Sequence, residues 1–340
     1  MAMKSVISSL APIGMGPMRT PDPFLFCVYH RDNYPAGNEK MEAPKRGNGA
    51  DFDPNAKYRM YHGDRIPGFP QHPHRGFETL TATLEGFVDH TDSMGAAGRY
   101  GLGDLQWMTA GKGVVHGENF PLIDDKGPNT LRLFQIWLNL PSKSKMVEPT
   151  YVMHWKEQIP KIRTSDDLGT VTLWAGSLEG KQGLAPPPSS WAADPANDVM
   201  VLHLNLAPGG TYTIPPAERK GVNRMAYWVE GDALEADGKS LASQCIMTLD
   251  PSLPLKLLNP PMSTSHAEVL LLQGKPVNEP VAQRGPFVMN TQSELQQAFI
   301  DYQRTQFGGW PWPEDAVVFP RDKGRFSLLN GKEERPSGAM

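Results

Sequence analysis

Apolar and polar residues alternate over short runs through most of this chain, the period-two pattern of half-buried strands. The runs FETLTATLEG (77–86), GDLQWMTA (103–110) and LRLFQIWLNL (131–140) each fit a strand, with Gly and Asp marking the turns between them. Helical readings are poorer, because Thr, Trp and Phe favour sheets and the glycines would interrupt a helix. A first core starts near residues 24–29, is broken by a polar Gly/Pro/Lys-rich loop around 31–57, and resumes before residue 72. A second set of strand-like runs begins with VTLWAGSLEG (171–180) and continues, past the Pro/Ser stretch APPPSSW, through VMVLHLNLAPGGTYTIP (199–215) and RMAYWVEGDALEADG (224–238).

The segment AYWVEGDALEADG (226–238) echoes TATLEGFVDHTDS (81–93): a strand, a Gly turn, then a polar hairpin. That echo suggests duplication of one small β unit, against the simpler account that alternation arose twice. Two β-rich halves are therefore expected, residues 1–155 and 156–340. One helix is predicted near the end. Thr291 and Glu294 have capping-box spacing, and Leu295, Ala298, Phe299 and Tyr302 share one apolar face. The aromatic run GGWPWPED (308–315) is expected to fold back rather than wait for a partner, because tryptophans need burial or a ligand.

Composition narrows the function classes. A formal charge of -4 gives no reason to expect a binder of nucleic-acid backbones or anionic membranes. Cys27 and Cys245 are too few and too far apart for a disulfide framework, so a reducing, cytoplasmic setting is the expectation, with the nucleus also open in a eukaryote. No apolar run is long enough to span a bilayer, and the N-terminus is a weak secretory signal. A monomer is expected.

The candidate chemistry lies in two short runs. HPH (72–74) and HGE (116–118) each place two potential metal ligands two residues apart. Side chains at that spacing share one face of a strand, and neighbouring strands lie about 5 Å apart, so His72, His74, His116 and Glu118 can surround one ion. Three imidazoles and a carboxylate suit a divalent first-row metal, with positions left for water, dioxygen or a chelating substrate. Fe(II) is the first choice; ligand type alone also admits manganese, nickel, copper or zinc. Such pairs also arise by chance, and histidines also bridge turns.

The wider stretches FPQHPHRGFETLTATLEG (69–86) and GDLQWMTAGKGVVHGENFP (103–121) closely resemble the signature of the pirin family of cupin metalloproteins. The likeness continues through LPSKSKMVEPTYV (140–152) and EPVAQRGPFVMNT (279–291). It implies an all-β bicupin, two consecutive cupin-type β-barrels with a C-terminal helix, the first barrel binding metal through His72, His74, His116 and Glu118. It also implies a quercetinase-type dioxygenase that opens a flavonol or similar planar aromatic molecule with dioxygen and releases carbon monoxide. Glu118 then serves as a constant ligand or as the base for the substrate proton. The family equally implies a non-enzymatic regulator acting through a protein partner, a redox-responsive transcriptional coregulator or a controller of a metabolic enzyme. No DNA-reading module accompanies it, so direct nucleic-acid binding is not expected.

Residues around the two runs carry weaker expectations. Arg75 pairs with a carboxylate such as Glu78 or with one at the surface; Gly76 and Gly113 let the backbone pass near the metal or complete turns. Phe77, Trp107 and Met108 are expected in packing, His62 and His90 at a cavity rim or in exposed turns. His203 and His266 stand alone in the second half, which lacks the paired ligands, and read as structural. Lys40, Lys45 and Arg46 mark the 31–57 loop as a lid, a partner surface or, by composition, a solvated insertion.

Overall fold

The computed structural model describes residues 4–14, 16–44 and 58–337. They form two compact β-sheet-rich units that interleave along the chain: residues 1–28 with 158–278, and 29–157 with 279–340. This differs from the expected single cut at residue 155. The strand Phe24–Tyr34 carries the chain from one unit into the other, and residues 279–340 return to the unit of the HPH run.

The unit built on residues 158–278 holds a seven-stranded antiparallel sheet with Ile7–Pro12 at one edge and Lys161–Arg163 at the other. Alternation decides its core. Val171, Leu173, Leu202, Leu204, Val269 and Leu271 project from one face against Ile214, Leu255 and Leu257 of a four-stranded sheet. His203 is satisfied by Glu268 at 2.8 Å and stacks on Trp174, while His266 Nδ1 meets Asn205 Oδ1 at 2.6 Å. Both are structural, as expected, and both cysteines are buried and unbridged.

The other unit contains a five-stranded sheet, in which Phe77–Glu85 lies between Leu105–Thr109 and Asn129–Asn139. Its six-stranded sheet runs in the order Lys332–Glu334, Phe326–Leu329, Ala97–Gly101, Phe87–Asp92, Val114–Asn119, Gly68–His74. The two sheets meet through side chains such as Tyr151, whose hydroxyl donates to the carbonyl of Ala97 at 3.1 Å. In both units a register shift precedes the glycine of the repeated segment, at Thr83/Glu85 before Gly86 and at Trp228/Glu230 before Gly231. A shared irregularity at the same place favours duplication over independent alternation.

The predicted helix is Gln292–Thr305, with Thr291 and Glu294 forming the full capping box. Leu295 and Ala298, with Phe299 and Tyr302, pack on the hairpin strands Ala282–Arg284 and Phe287–Met289. The 31–57 loop is not simply solvated. The strand persists to Tyr34, and Met41 and Ala43 are buried with Phe120 and Leu122, while Lys40 is exposed. Lys45 and Arg46 lie outside the described residues. Among the described residues, no helix is long and apolar enough to cross a membrane.

Candidate metal centre

His72 and His74 leave the strand Gly68–His74 on the same face, as their spacing requires. That strand pairs antiparallel with Val114–Asn119, in a register that sets His72 opposite His116. One ring nitrogen from each of His72, His74 and His116 lies within 4.8 Å of the others. The ring centroids stand 4.5 to 4.9 Å apart. His74 and His116 are buried; His72 is the partly exposed member and marks the side of approach.

Burial pushes all three imidazoles toward their neutral form. Desolvation lowers His72 to about 4, with His62 and His90 adding to it, and lowers His74 and His116 well below the usual histidine range, with neighbouring histidines again adding. Neutral imidazole is the state a metal needs. The hydrogen bonding agrees with that use. His72 Nδ1 lies 2.8 Å from the Pro70 carbonyl, which only accepts, so the proton sits on Nδ1 and the lone pair on Nε2. Neither ring nitrogen of His116, nor Nδ1 of His74, finds a hydrogen-bond partner among the described residues. Buried polar atoms are rarely left so, and coordination would satisfy one nitrogen of each ring. The donor set therefore fits a divalent metal: this is a three-histidine metal-binding site.

Glu118 adjoins the trio. Its Oε2 is 3.9 Å from His116 Nε2, it accepts from Thr81 Oγ1 at 2.9 Å and from Gln135 Nε2 at 3.1 Å, and Tyr100 OH stands 3.5 Å away. Burial raises its pKa, against the pull of the Thr81 hydrogen bond. His90 is not at a rim. It is fully buried with Nε2 3.0 Å from Asp92 Oδ2, its ring lies 5.5 Å from that of His116, and in the strand register it faces Glu118. The alternation of His90 and Asp92 in a strand was the available signal. His62 is exposed, its ring 5.7 Å from Phe69.

Other neighbours divide sharply. Arg75 is buried and pairs with Asp301 at 2.8 Å, not with Glu78, which accepts instead from Thr109. Gly76 and Gly113 make room for Val288 and Phe307 rather than for the metal. A Cβ on Gly76 would lie 1.9 Å from the Val288 carbonyl, and one on Gly113 would strike the Phe307 ring; both have positive φ. Trp107 and Met108 are fully buried packing residues. Phe77 packs between His74 and Trp137, and Trp137 itself stands 5.5 Å from His74. Sequence reasoning missed Trp137, Gln135 and Thr81, although 135 and 137 share one face of the run LRLFQIWLNL. A cleft of about 370 Å³ lined by Tyr34, Phe87, Phe120 and Leu131 includes none of the three histidines.

Two β-sheet-rich, cupin-like domains with a buried histidine trio define a metal-binding protein of the cupin superfamily. Residues 18–138 match the family model described as Pirin, and residues 201–308 the one described as Pirin C-terminal cupin domain. The chain belongs to the pirin family. It is 40% identical over 238 residues to a pirin-like protein of Solanum lycopersicum, covering 69% of this chain and 75% of that one. Human pirin is 36% identical over 263 residues, 76% of this chain and 83% of its own. Among solved structures, a quercetin 2,3-dioxygenase from Acinetobacter baumannii superposes with a TM-score of 0.68 at 27% identity, over 89% of this chain and 96% of that chain.

Proposed function

We propose that this protein is an iron-dependent dioxygenase that opens a flavonol such as quercetin and releases carbon monoxide. The observation that carries the reading is a carboxylate, Glu118, held by Thr81 and Gln135 beside three histidines that each offer a ring nitrogen within 4.8 Å of the others. Similarity to the Acinetobacter baumannii quercetin 2,3-dioxygenase supports the substrate class. His72, His74 and His116 would hold the ion, with Glu118 as fourth ligand or as base. Bound Fe(II) supplies Lewis acidity and a path for electrons to dioxygen. Glu118 takes the proton of the flavonol 3-hydroxyl, a task its raised pKa suits, while Thr81 and Gln135 keep the carboxylate turned to the site. Phe69, 6.2 Å from His72, and Trp137 offer aromatic faces for a planar ring.

The test adds quercetin and dioxygen to anaerobically iron-loaded protein and measures carbon monoxide. Release is expected to require both iron and Glu118, and to vanish in metal-free protein and in Glu118→Ala. Absence of release at confirmed iron occupancy would overturn the dioxygenase reading and favour the metal-dependent regulator that acts through a protein partner.

A further inference from the structure

From Asp301, near the end of the helix Gln292–Thr305, the chain runs back along the strands that carry the histidines, and its attachments fall beside each of them. Arg75, next to His74, bonds Asp301 at 2.8 Å and lies 4.5 Å from the centre of the Phe307 ring. That ring occupies the space a Cβ on Gly113 would need. The Trp310 ring comes within 3.6 Å of the Cβ position of Gly117, between His116 and Glu118. Trp312 donates its indole N–H to the carbonyl of Asp92 at 2.8 Å, and Asp92 faces His116 in the register. Gln71, next to His72, donates its main-chain N–H to the Asp315 carbonyl at 2.9 Å and its side chain to Asp315 Oδ1 at 2.6 Å. Asn119, next to Glu118, donates to the Val317 carbonyl at 3.2 Å.

The far end of this run is pinned. Arg99, buried and paired with Asp89 at 2.7 Å, donates to the carbonyls of Phe319 and Pro320 at 2.7 and 2.8 Å. Phe319 N–H in turn donates to Asp89 Oδ2 at 2.8 Å. Gln71, Gly117 and Asn119 alternate with the ligands, so the contacts are made from the opposite face of the same strands. Trp310 and Trp312 stay partly exposed, while Phe307 and Val318 pack into apolar clusters, so hydrogen bonds and apolar contacts together hold the run. Most of these attachments are hydrogen bonds, several of them to main-chain groups.

We propose that residues 301–319 form a positioning clamp for the metal centre. They hold the main chain at Gln71 and Asp92 and the side chains of Arg75 and Asn119, and pack on Gly113 and Gly117, and thereby set the spacing of His72, His74, His116 and Glu118. This rests on the metal reading of the histidine trio. Phe307, Trp312 and Asp315 are its positioning residues, acting through the strands and not on the ion. Groups that hydrogen-bond a metal ligand directly change metal affinity by about ten- to a hundredfold, and the clamp, one step further out, is expected at the lower end of that range.

The test uses Co(II) alone as probe, read by its visible absorption and by competition with a chelator, on the full chain. Trp312→Phe removes the indole donor and keeps a ring; Asp315→Ala removes the acceptor for the Gln71 side chain, and Asp315→Asn restores it. Ile214→Val, in the core of the other unit, is the destabilised control. The expected result is about tenfold weaker cobalt binding and an altered absorption band in Trp312→Phe, a smaller loss in Asp315→Ala, and recovery in Asp315→Asn. Affinity and spectrum identical to the unmodified protein, or a loss that Ile214→Val reproduces, would overturn the clamp. Failure of the unmodified protein to bind cobalt overturns the metal centre itself and the clamp with it.

Discussion

His74 and His116 are buried and His72 is partly exposed, and desolvation pushes all three toward their neutral forms before any metal is considered. Deleting one removes a direct ligand. His74→Ala is expected to weaken binding of one divalent metal on the order of a hundredfold or more, measured by chelator competition. His30 tests burial away from the centre. Desolvation, helped by Arg59, lowers it from 6.5 to about 3, so the unfolded chain takes up a proton that the folded chain refuses across this window. Its contribution to stability is complete above 6.5 and is lost as pH falls, at up to about 1.4 kcal/mol per pH unit. Replacing it in His30→Phe is expected to flatten the acid side of the urea-unfolding stability curve by that one-proton slope; an unaltered slope would show that His30 charges in the folded protein. The three histidines at 72, 74 and 116 were legible as a cluster from residue type and spacing. Thr81, Gln135 and Trp137 were not, because nothing local distinguishes a Thr or Gln that meets Glu118 across two sheets from one that faces solvent.

At the scale of elements, the strands followed from alternation and the helix from its cap and apolar face. The cap is reciprocal: Thr291 Oγ1 accepts from Glu294 N–H at 3.2 Å, and Glu294 Oε2 from Thr291 N–H at 2.8 Å. Thr291→Ala is therefore expected to cost about 1 kcal/mol, seen as a lower thermal midpoint, with Thr291→Ser recovering most of it. The turn at Gly76 bears on the approach of a neighbour. Gly76→Ala forces a Cβ against the Val288 carbonyl at a φ of +86°, so strong destabilisation is expected, whereas Gly180→Ala, with open space around it, pays only for its φ. Equal losses in the two variants would show that backbone conformation alone matters at Gly76. The irregularities at Thr83/Glu85 and Trp228/Glu230 were not readable from alternation, since a register shift is defined by the partner strand.

For the whole molecule, the decisive feature is that the chain's ends cross over between units. Residues 1–155 lack the strand Phe326–Leu329 that pairs with Ala97–Gly101, and the carbonyls of Phe319 and Pro320 that satisfy buried Arg99. A fragment ending at 155 is expected to show no cooperative thermal transition, and adding residues 279–340 in trans to recover part of it. A sharp transition in the fragment alone would mean that residues 279–340 are dispensable. The sequence by itself determined strand periodicity, the helix with its cap, the donor chemistry of the histidine runs and the family, because each is written in neighbours a few positions apart. Only the tertiary structure decided that Glu118 stands 3.9 Å from His116, that His90 and Asp92 lie buried beside the trio, and that the terminal segment braces the ligand strands. Those facts depend on pairing between residues up to hundreds of positions apart, which is selected by the summed burial and hydrogen bonding of the whole fold and leaves no local period to read.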